Sequence, residues 1–360
     1  MNTALTIRLA LCAAIAALAA TPPPATLREA ARSSAILIGA ATRPAQLSEP
    51  AYAATLAREF NMLEPEDALK WETLRPDPQS FNFQPADQLL DFATRHNMKV
   101  RGHTLVWHKQ LPRWLTQASF TPSQLSALLE LHIKTVVAHY KGKVFAWDVA
   151  NEAFDEGART GQLRSTLWYD QPGIGYAGKG SAYLAQSFRW AHQADPQALL
   201  FYNEAEADEL NKKSDAVYAM VSDFKLHGVP IDGVGLQMHI EKPPDIASIS
   251  ANIARFTALG LQVHITEMDV SLPVDASGNA TPADLQMQAA IYRQIAEACL
   301  AHLGCTALQT WGFTDKYSWI GSHSKKTRGA ALLFDRDYQP KPAYQALRDA
   351  LDSKPPVPAH

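Results

Sequence analysis

Two glutamates in this sequence are placed for acid–base or nucleophilic chemistry. Glu152 ends the apolar segment 145–152, and Glu267 lies near the end of the apolar segment 261–269. A carboxylate at the end of a predicted strand, beside aromatic and amide side chains, suits an open cleft better than a hydrophobic core. Two such carboxylates can hydrolyse an acetal, because one protonates the leaving oxygen and the other meets the developing oxocarbenium ion.

A purely structural role for Glu152 and Glu267 is the alternative interpretation. Each glutamate would then be held in a salt bridge at the end of its strand. Arginine and lysine are scarce around both residues in the sequence, so we expect no such partners, and a buried carboxylate without a partner is costly. The sequence therefore favours a catalytic pair.

The segments around these glutamates belong to a regular alternation of strands and helices. The predicted strands are the apolar segments 36–42, 60–64, 99–107, 145–152, 199–203, 233–239, 262–269 and 308–314. Helices are predicted between them, with Pro85 and Pro122 in first turns and Thr281-Pro282 at the start of another. Apolar strands that are each followed by a helix indicate a parallel sheet covered on its outside. We predict an α/β fold that closes into a single-domain (β/α)8 TIM barrel, with a doubly wound open sheet as the alternative.

Polar and aromatic residues cluster at the carboxyl ends of these predicted strands. In chain order they are Glu66, Lys70, His103, Trp107, His108, Gln110, Asn151, Glu152, Asn203, Gln237, His239, Glu267, Asp269 and Trp311. Barrel enzymes carry their active sites at this face. Because so many predicted strands carry polar residues at the same end, we predict one cleft at the carboxyl-terminal face.

The composition limits the classes of partner. The chain has 360 residues, 47% of them hydrophobic, and a formal net charge of −3 with both signs spread along the sequence. This length is normal for one barrel, and the charge gives no basic surface for nucleic acid or anionic lipid. The sequence contains no His-x-His pair and no His-Glu-x-x-His motif, so we expect neither a metal nor a cofactor. We expect a substrate with little charge.

The N-terminus has the features of a secretory signal peptide. Arg8 precedes an alanine-rich apolar run, 9–20, that is too short to read as a membrane-spanning helix. We predict cleavage after Ala19 or Ala20, with a mature chain that starts near Thr21. A retained membrane anchor is the alternative. The mature protein is expected to be secreted or periplasmic, free of the membrane and monomeric.

Removal of this segment leaves two cysteines, Cys299 and Cys305. In an exported protein an isolated pair at this short spacing favours a disulfide over a metal site. Two unpaired buried thiols are the alternative. The pair precedes the last predicted strand, which suggests that the bond pins the end of a helix.

Six segments occur in an order that identifies a family resemblance. They are 66–71, 103–108, 147–152, 237–239, 266–269 and 311–319. In this order they resemble glycoside hydrolase family 10, the endo-β-1,4-xylanases, and the cysteine pair also looks like that of the family. The resemblance runs from about residue 36 to residue 347. Asn-Glu and Thr-Glu dipeptides alone are common, but the ordered set is highly specific.

The resemblance implies a retaining mechanism, with Glu152 as general acid/base and Glu267 as nucleophile. Asp269 is placed to orient His239, which can hydrogen-bond the Glu267 carboxylate and stabilise its ionised form. Glu152 must start protonated, so we expect its pKa to be raised by partial burial and by the second carboxylate. Asn151 is placed to hydrogen-bond a sugar 2-hydroxyl.

The resemblance also implies a set of sugar-binding residues. They are Glu66, Asp67, Lys70, His103, Trp107, Gln110, Asn203, Gln237, Trp311 and Trp319. Tryptophan is more often a core residue than a ligand platform, but Trp311 and Trp319 flank a polar loop at a strand's end and are expected to face the cleft. Trp147 lies inside a strand and is expected in the core.

Three departures from the family's pattern bear on specificity. Asp67 stands where asparagine is usual, so one hydroxyl contact becomes acceptor-only. Lys109 stands where a small polar residue is usual and is expected to add a charge near the glycone side. Ala205 occupies the place of an aromatic residue and Glu206 follows it. We therefore expect weaker stacking on the aglycone side and repulsion of acidic decorations.

Together these features predict a secreted, retaining endo-β-1,4-xylanase that cleaves internal xylosidic bonds through a covalent glycosyl-enzyme intermediate. The predicted organisation is a signal peptide (1–20), a catalytic barrel (21–352) and a proline-rich tail (353–360). A β-1,4-glucanase on the same barrel is the alternative among enzymes, and Trp319 favours xylose if it crowds C5 of the sugar. A non-catalytic carbohydrate-binding barrel is the alternative outside enzymes, but both glutamates are present.

Overall fold

Eight parallel strands form the centre of the molecule. The computed structural model describes residues 26–157 and 160–353, so the predicted signal peptide and residues 354–360 lie outside the described part of the chain. The barrel strands are β1 (Leu37–Thr42), β2 (Met62–Pro65), β3 (Lys99–Val106), β4 (Ala146–Asn151), β5 (Leu199–Glu204), β6 (Gly233–Leu236), β7 (Gln262–Val270) and β8 (Cys305–Thr310).

The strands pair in chain order, and β8 closes the sheet by pairing with both β1 and β7. At this seam Leu37 lies opposite Ala307, and Val263 lies opposite Cys305. A closed sheet has no unpaired edge, and its apolar strands are covered by the barrel interior on one face and by helices on the other. The predicted (β/α)8 barrel is confirmed, and the doubly wound open sheet is wrong.

Long helices cover the outside of the barrel, and short ones lie in its loops, such as Ile320–His323 at the cleft. They are Leu27–Ser33, Pro50–Glu59, Trp71–Leu74, Gln84–Arg95, Arg113–Thr116, Pro122–His139, Ala182–Ala194, Lys212–Leu226, Ile246–Ala258, Pro282–Leu300, Ile320–His323 and Pro342–Asp352, with a 3-10 turn at Pro44–Ser48. Thr121 and Thr281 cap two of them through side-chain bonds to backbone N–H groups, as the Thr-Pro pairs predict. Within the described ranges, every helix is too short or too polar to cross a membrane.

Two strands differ from their predicted bounds by three residues or more, whereas the others differ by at most two. β6 ends at Leu236, and the chain turns at Met238 (φ 63°) before the short strand His239–Ile240 pairs with β7. β8 begins at Cys305, earlier than expected, and ends at Thr310, after which Gly312 (φ 84°) turns the chain. Hydrophobic periodicity does not reveal such left-handed residues, and a non-glycine residue rarely adopts this conformation.

Cys299 and Cys305 form a disulfide, with Cα atoms 5.3 Å apart. Cys299 lies in the last turn of the helix Pro282–Leu300 and Cys305 is the first residue of β8. The bond therefore pins the end of a helix to the start of the last strand, as predicted. A loop of this size contributes about 2–3 kcal/mol, mainly by restricting the unfolded chain.

Candidate active site

The carboxyl ends of the strands open into a cleft of about 670 Å³. Most of the predicted site residues line it, namely Lys70, His103, Trp107, Asn151, Glu152, Gln237, His239, Glu267, Asp269, Trp311 and Trp319. They meet here because parallel barrel strands all end at the same face. The volume lies within the range of ligand-binding clefts, roughly 300–1,000 Å³.

Glu267, near the end of β7, is held by fixed polar groups. Asn203 Nδ2 donates to Glu267 Oε1 at 2.8 Å, and His239 Nε2 lies 3.2 Å from Glu267 Oε2. The other ring nitrogen, His239 Nδ1, lies 2.9 Å from Asp269 Oδ2. The backbone explains this alignment, because the short strand places His239 opposite Asp269 in the sheet. The expected chain from Asp269 through His239 to Glu267 is present.

His239 carries the positive charge of this group. Burial opposes charge on the imidazole, but the carboxylates of Asp269 and Glu267 outweigh burial and hold the His239 pKa well above its usual value. The resulting imidazolium donates to both carboxylates and holds the Glu267 carboxylate in one orientation. Trp319 Nε1 also donates to Asp269 Oδ2, at 2.8 Å, and so helps to fix the orientation of the chain.

Asn203 lies beneath Glu267 and is fully buried. Its Oδ1 accepts a hydrogen bond from Thr266 Oγ1 at 2.7 Å, and its Nδ2 lies 3.0 Å from the side-chain amide of Asn151. A Cβ atom at Gly235 would stand 2.1 Å from Asn203 Oδ1, so β6 needs glycine at this point. Asn203 was expected to bind sugar, but its burial makes it a support for the nucleophile.

Glu152 directly follows β4 and has a φ of 51°, a conformation that is uncommon outside glycine and that clusters at functional sites. Trp107 Nε1 donates to Glu152 Oε2 at 3.0 Å, and Gln237 Nε2 donates to Glu152 Oε1 at 3.1 Å. Both carboxylate oxygens therefore have a fixed donor.

Lys109 overturns two expectations about Glu152. Its Nζ lies 3.6 Å from Glu152 Oε2 and 3.7 Å from Glu156 Oε1. Glu152 therefore has a basic partner, although none was expected from the sequence. Burial raises the Glu152 pKa, but Lys109 and the hydrogen bonds from Gln237 and Trp107 outweigh burial and leave this pKa below its usual value. The expected increase was wrong because a cation that is distant in sequence lies next to the carboxylate.

Tryptophan rings form apolar surface along the cleft. Trp107, Trp311 and Trp319 line it, whereas Trp147 is fully buried, as its place inside a strand predicts. Lys70 Nζ lies 4.9 Å from the centroid of the Trp107 ring and 5.3 Å from that of Trp311. This shared cation helps to hold both rings, and flat rings beside polar groups suit a sugar ligand.

Three predicted sugar-binding residues form a cluster that does not line this cleft. Arg43 pairs with both Glu66 and Asp67 at 2.8 Å, and Gln110 Nε2 lies 3.4 Å from Asp67 Oδ1. Burial raises the pKa of Glu66 even though Arg43 opposes this. Asp67 also lies 3.5 Å from Lys70, which connects the cluster to the cleft. Arg43 follows β1 without any motif, so its sequence context gave no signal of this role.

The loop after β5 has a small residue on the cleft surface. Ala205 lines the cleft, and the exposed Glu206 accepts a hydrogen bond from the backbone N–H of Gly157. Behind this loop, Lys213 pairs with the buried Glu204 at 3.0 Å. Burial raises the pKa of Glu204 to about 7 despite this pair. Ala205 therefore lies where a larger side chain would narrow the cleft.

The barrel interior holds a charged cluster that the sequence analysis did not identify. Arg101 Nε lies 3.2 Å from Asp148 and 3.3 Å from Glu64, and His103 Nδ1 lies 3.0 Å from Asp148. Arg101 and His103 are two residues apart on β3, and this alternation was the available signal that both point inward. Glu64, His103 and Asp148 have the spacing of metal ligands. Arg101 already supplies the cation that these carboxylates need. The cluster is therefore better explained as a support that orients His103 than as a metal centre.

Comparisons with known proteins agree with this geometry. The sequence profile described as Glycosyl hydrolase family 10 matches residues 26–350. The chain is 43% identical over 304 residues to endo-1,4-beta-xylanase B of Thermotoga neapolitana, with 84% of each chain covered. It is also 40% identical over 301 residues to the beta-1,4-xylanase of Dictyoglomus thermophilum. This match covers 81% of this chain and 82% of the Dictyoglomus enzyme.

The fold comparison gives the same result. The crystal structure of xylanase 10B from Thermotoga petrophila in complex with xylobiose matches with a TM-score of 0.86 at 42% sequence identity. The match covers 92% of this chain and 99% of the crystallised one. The family profile spans residues 26–350 and therefore includes every strand that carries a site residue.

Proposed function

Since this chain belongs to glycosyl hydrolase family 10, we propose that it cleaves internal β-1,4 bonds of xylan with retention of configuration, through a covalent glycosyl-enzyme intermediate. Its enzyme class is endo-1,4-β-xylanase. The observation that carries the proposal is the presence of Glu152 and Glu267 in one cleft, each held by fixed donors but in different electrostatic surroundings. Two positioned carboxylates in one cleft that can hold a sugar are what a general acid/base and a nucleophile of a retaining hydrolase require.

The first chemical step transfers the glycone to the protein. Glu267 attacks the anomeric carbon, the bond to the glycosidic oxygen breaks, and protonated Glu152 gives its proton to that oxygen. His239 and Asn203 hold the Glu267 carboxylate in one orientation, so little reorganisation is needed at the moment of attack. Asn151 lines the cleft and is placed to contact the sugar 2-hydroxyl.

The second step releases the sugar. Glu152, now a carboxylate, accepts a proton from water while the water oxygen attacks the anomeric carbon and frees Glu267. Trp107 and Gln237 stabilise the carboxylate form of Glu152 at this stage. Two successive inversions at the same carbon give net retention. Enzymes of this kind hold their two carboxyl groups roughly 5–5.5 Å apart.

Product analysis tests the proposal with the full chain. Time-resolved proton NMR on xylopentaose should show the β-anomer first, and a 2-fluoro-xylobioside with a good leaving group should label the peptide that contains Glu267. First appearance of the α-anomer, or a label on another residue, would contradict the mechanism. Cleavage of cellulose as fast as xylan would favour the β-1,4-glucanase interpretation, and binding without any cleavage would favour a carbohydrate-binding barrel.

We also propose that the protein is exported and acts as a monomer. The apolar run at 9–20 supports export, and the Cys299–Cys305 disulfide is the kind of bond that oxidising compartments favour. N-terminal sequencing of the mature protein, cell fractionation and light scattering test these points. An intact N-terminus in the cytoplasm would exclude export, and a dimer mass would exclude a monomer.

A further inference from the structure

Lys109 is a cleft residue for which the proposed reaction provides no role. It follows β3, its side chain is 50% exposed, and its Nζ lies 3.6 Å from Glu152 Oε2. The same Nζ lies 3.7 Å from Glu156 Oε1, whose side chain is 72% exposed. One ammonium group is therefore shared between two carboxylates, and only Glu152 takes part in the proposed reaction.

We infer that Lys109 is a positioning residue that controls the protonation of Glu152 and thereby the upper pH limit of hydrolysis, and that Glu156 moderates this control. The inference rests on the proposed function, because Lys109 acts only through the acid/base of that reaction. Glu152 must carry a proton when the glycosidic bond breaks. Any group that stabilises its carboxylate form therefore lowers the pH at which the acid is lost.

The other charged and titratable groups around Glu152 come from several elements. They are His108 after β3, Glu156 and Arg164 after β4, Glu206 and Lys213 around the loop after β5, His239 after β6, and Glu267 on β7. Burial and the nearby Arg164 lower the pKa of His108 to about 4, so His108 is neutral above that pH, whereas below it the imidazolium adds to Lys109 in favouring the Glu152 carboxylate. His239 is committed to Glu267 and Asp269.

Two other cations in the described part of this region are already committed elsewhere. Arg164 donates to the backbone carbonyls of Glu152 and Phe154 at 3.4 and 3.0 Å, and its Nη1 lies 3.7 Å from Glu156 Oε1. Lys213 is buried and pairs with Glu204 at 3.0 Å. Within residues 26–157 and 160–353, Lys109 is thus the cation that pairs with the Glu152 carboxylate.

The two charges beside Glu152 have opposite effects, and their signs can be worked out. Lys109 favours the carboxylate and lowers the pKa of Glu152. Removing this charge raises the pKa, so Glu152 stays protonated to a higher pH and the upper limb of the pH profile moves up. The negative charge of Glu156 disfavours the carboxylate form of Glu152, and Glu156 also competes with Glu152 for the Lys109 ammonium group. Its removal therefore moves the upper limb down.

The main experiment compares pH profiles of kcat/KM on xylohexaose. Lys109→Gln should move the upper limb up by about half a pH unit, a value reduced for the exposure of the lysine. Glu156→Gln should move it down by about 0.3 of a unit, on the same screening argument. In the Lys109→Gln background, Glu156→Gln should have a smaller effect, because the shared ammonium is gone. An upper limb that stays in place in Lys109→Gln overturns the inference.

Matched variants separate charge from structure. Lys109→Arg keeps the charge and should keep the upper limb within about 0.2 of a pH unit, since the pair survives. Lys99→Gln removes an exposed lysine at the amino end of β3, the other end of the same strand, and should leave the profile unchanged. A shift in Lys99→Gln as large as that in Lys109→Gln would show that net charge, not the contact, sets the limb. An aryl xylobioside with a good leaving group should show no shift, because its departure needs no acid.

A direct titration makes the inference independent of activity. In protein labelled with carbon-13 at the glutamate carboxyl carbon, the Glu152 signal is assigned by its loss in Glu152→Gln. Its midpoint should rise in Lys109→Gln and fall in Glu156→Gln even if the protein does not cleave xylan. An unchanged midpoint in Lys109→Gln overturns the role of Lys109. Absence of xylan cleavage with shifted midpoints would overturn only the proposed function.

Discussion

The two catalytic carboxylates lie in regions of the cleft that are built differently. The nucleophile side consists of Glu267, His239, Asp269 and Asn203, and it rests on strands. Glu267 is 5% exposed, Asp269 is 1% exposed, and each is bonded to a side chain of the same group. The short strand that pairs with β7 fixes the histidine by backbone bonds. Each charged side chain on this side is held by a hydrogen bond to another member of the same group.

The acid side consists of Glu152, Lys109, Glu156 and Arg164, and it rests largely on loops. The side chains of Lys109 and Glu156 are 50% and 72% exposed, and their contacts with carboxylates and cations range from 3.6 to 3.7 Å. Such pairs are weak and screened by solvent, so they tune a charge without fixing it.

The difference between the sides follows from the two chemical tasks. A nucleophile keeps one protonation state until it reacts, so a dry and fully bonded site improves it. A general acid/base gains and loses a proton in each turnover, so partial exposure and a nearby tunable cation suit it. This comparison predicts that substitutions on the nucleophile side affect the size of the rate, whereas those around Glu152 affect its dependence on leaving group and pH.

The largest effect is expected at Glu267. Glu267→Ala should lower turnover by roughly four orders of magnitude or more, because no covalent intermediate can form. Azide should restore part of the activity with inverted configuration, since a small anion fills the vacated space. Anomer analysis by NMR checks this result. Turnover close to that of the unmodified protein would end the assignment of the nucleophile.

Glu152 should show a loss that depends on the leaving group. Glu152→Ala should slow cleavage of xylo-oligosaccharides by roughly 10²–10⁴-fold, because their leaving groups need the proton. Aryl xylosides with good leaving groups should lose much less in the first step. Pre-steady-state kinetics on both substrates measures the difference. Equal losses on both would contradict the acid role.

His239 tests whether the nucleophile side works as a fixed unit. His239→Asn removes the cation between Glu267 and Asp269 and should lower kcat roughly 10- to 100-fold, the range expected for one charge-assisted hydrogen bond. The pH of the upper limb should stay unchanged, because Glu152 keeps its partners. A shifted upper limb with little loss of kcat would break the proposed division between the two sides.

The smallest effect is expected at Ala205, on the cleft surface after β5. Ala205→Tyr should restore a stacking ring worth about 0.5–1.5 kcal/mol, which raises kcat/KM on longer xylo-oligosaccharides roughly twofold to tenfold. Ala205→Ser is the control, because it adds no ring. Kinetics on oligosaccharides of increasing length measures the effect. If both variants have the same length dependence, then residue 205 does not contact sugar.

Much of the fold and of the nucleophile side could be read from the sequence. Apolar segments with polar ends indicated the barrel and the face that carries the site. Spacing near one strand also related Glu267 to Asp269, and the end of the neighbouring predicted strand supplied His239. These features are local, because strand alternation and short motifs fix which way a side chain points.

The tertiary structure alone decided the partners that come from different loops. Lys109 and Glu152 are far apart in sequence, as are Arg43 and Glu66, yet each pair is in contact. The same holds for the burial of Asn203, which turned an expected sugar ligand into a support for the nucleophile. A pKa depends on every charge within a few ångströms and on the loss of solvent. The sequence by itself determined the barrel and most of the residues that line the cleft, and only closure of the barrel decided which charges face one another there.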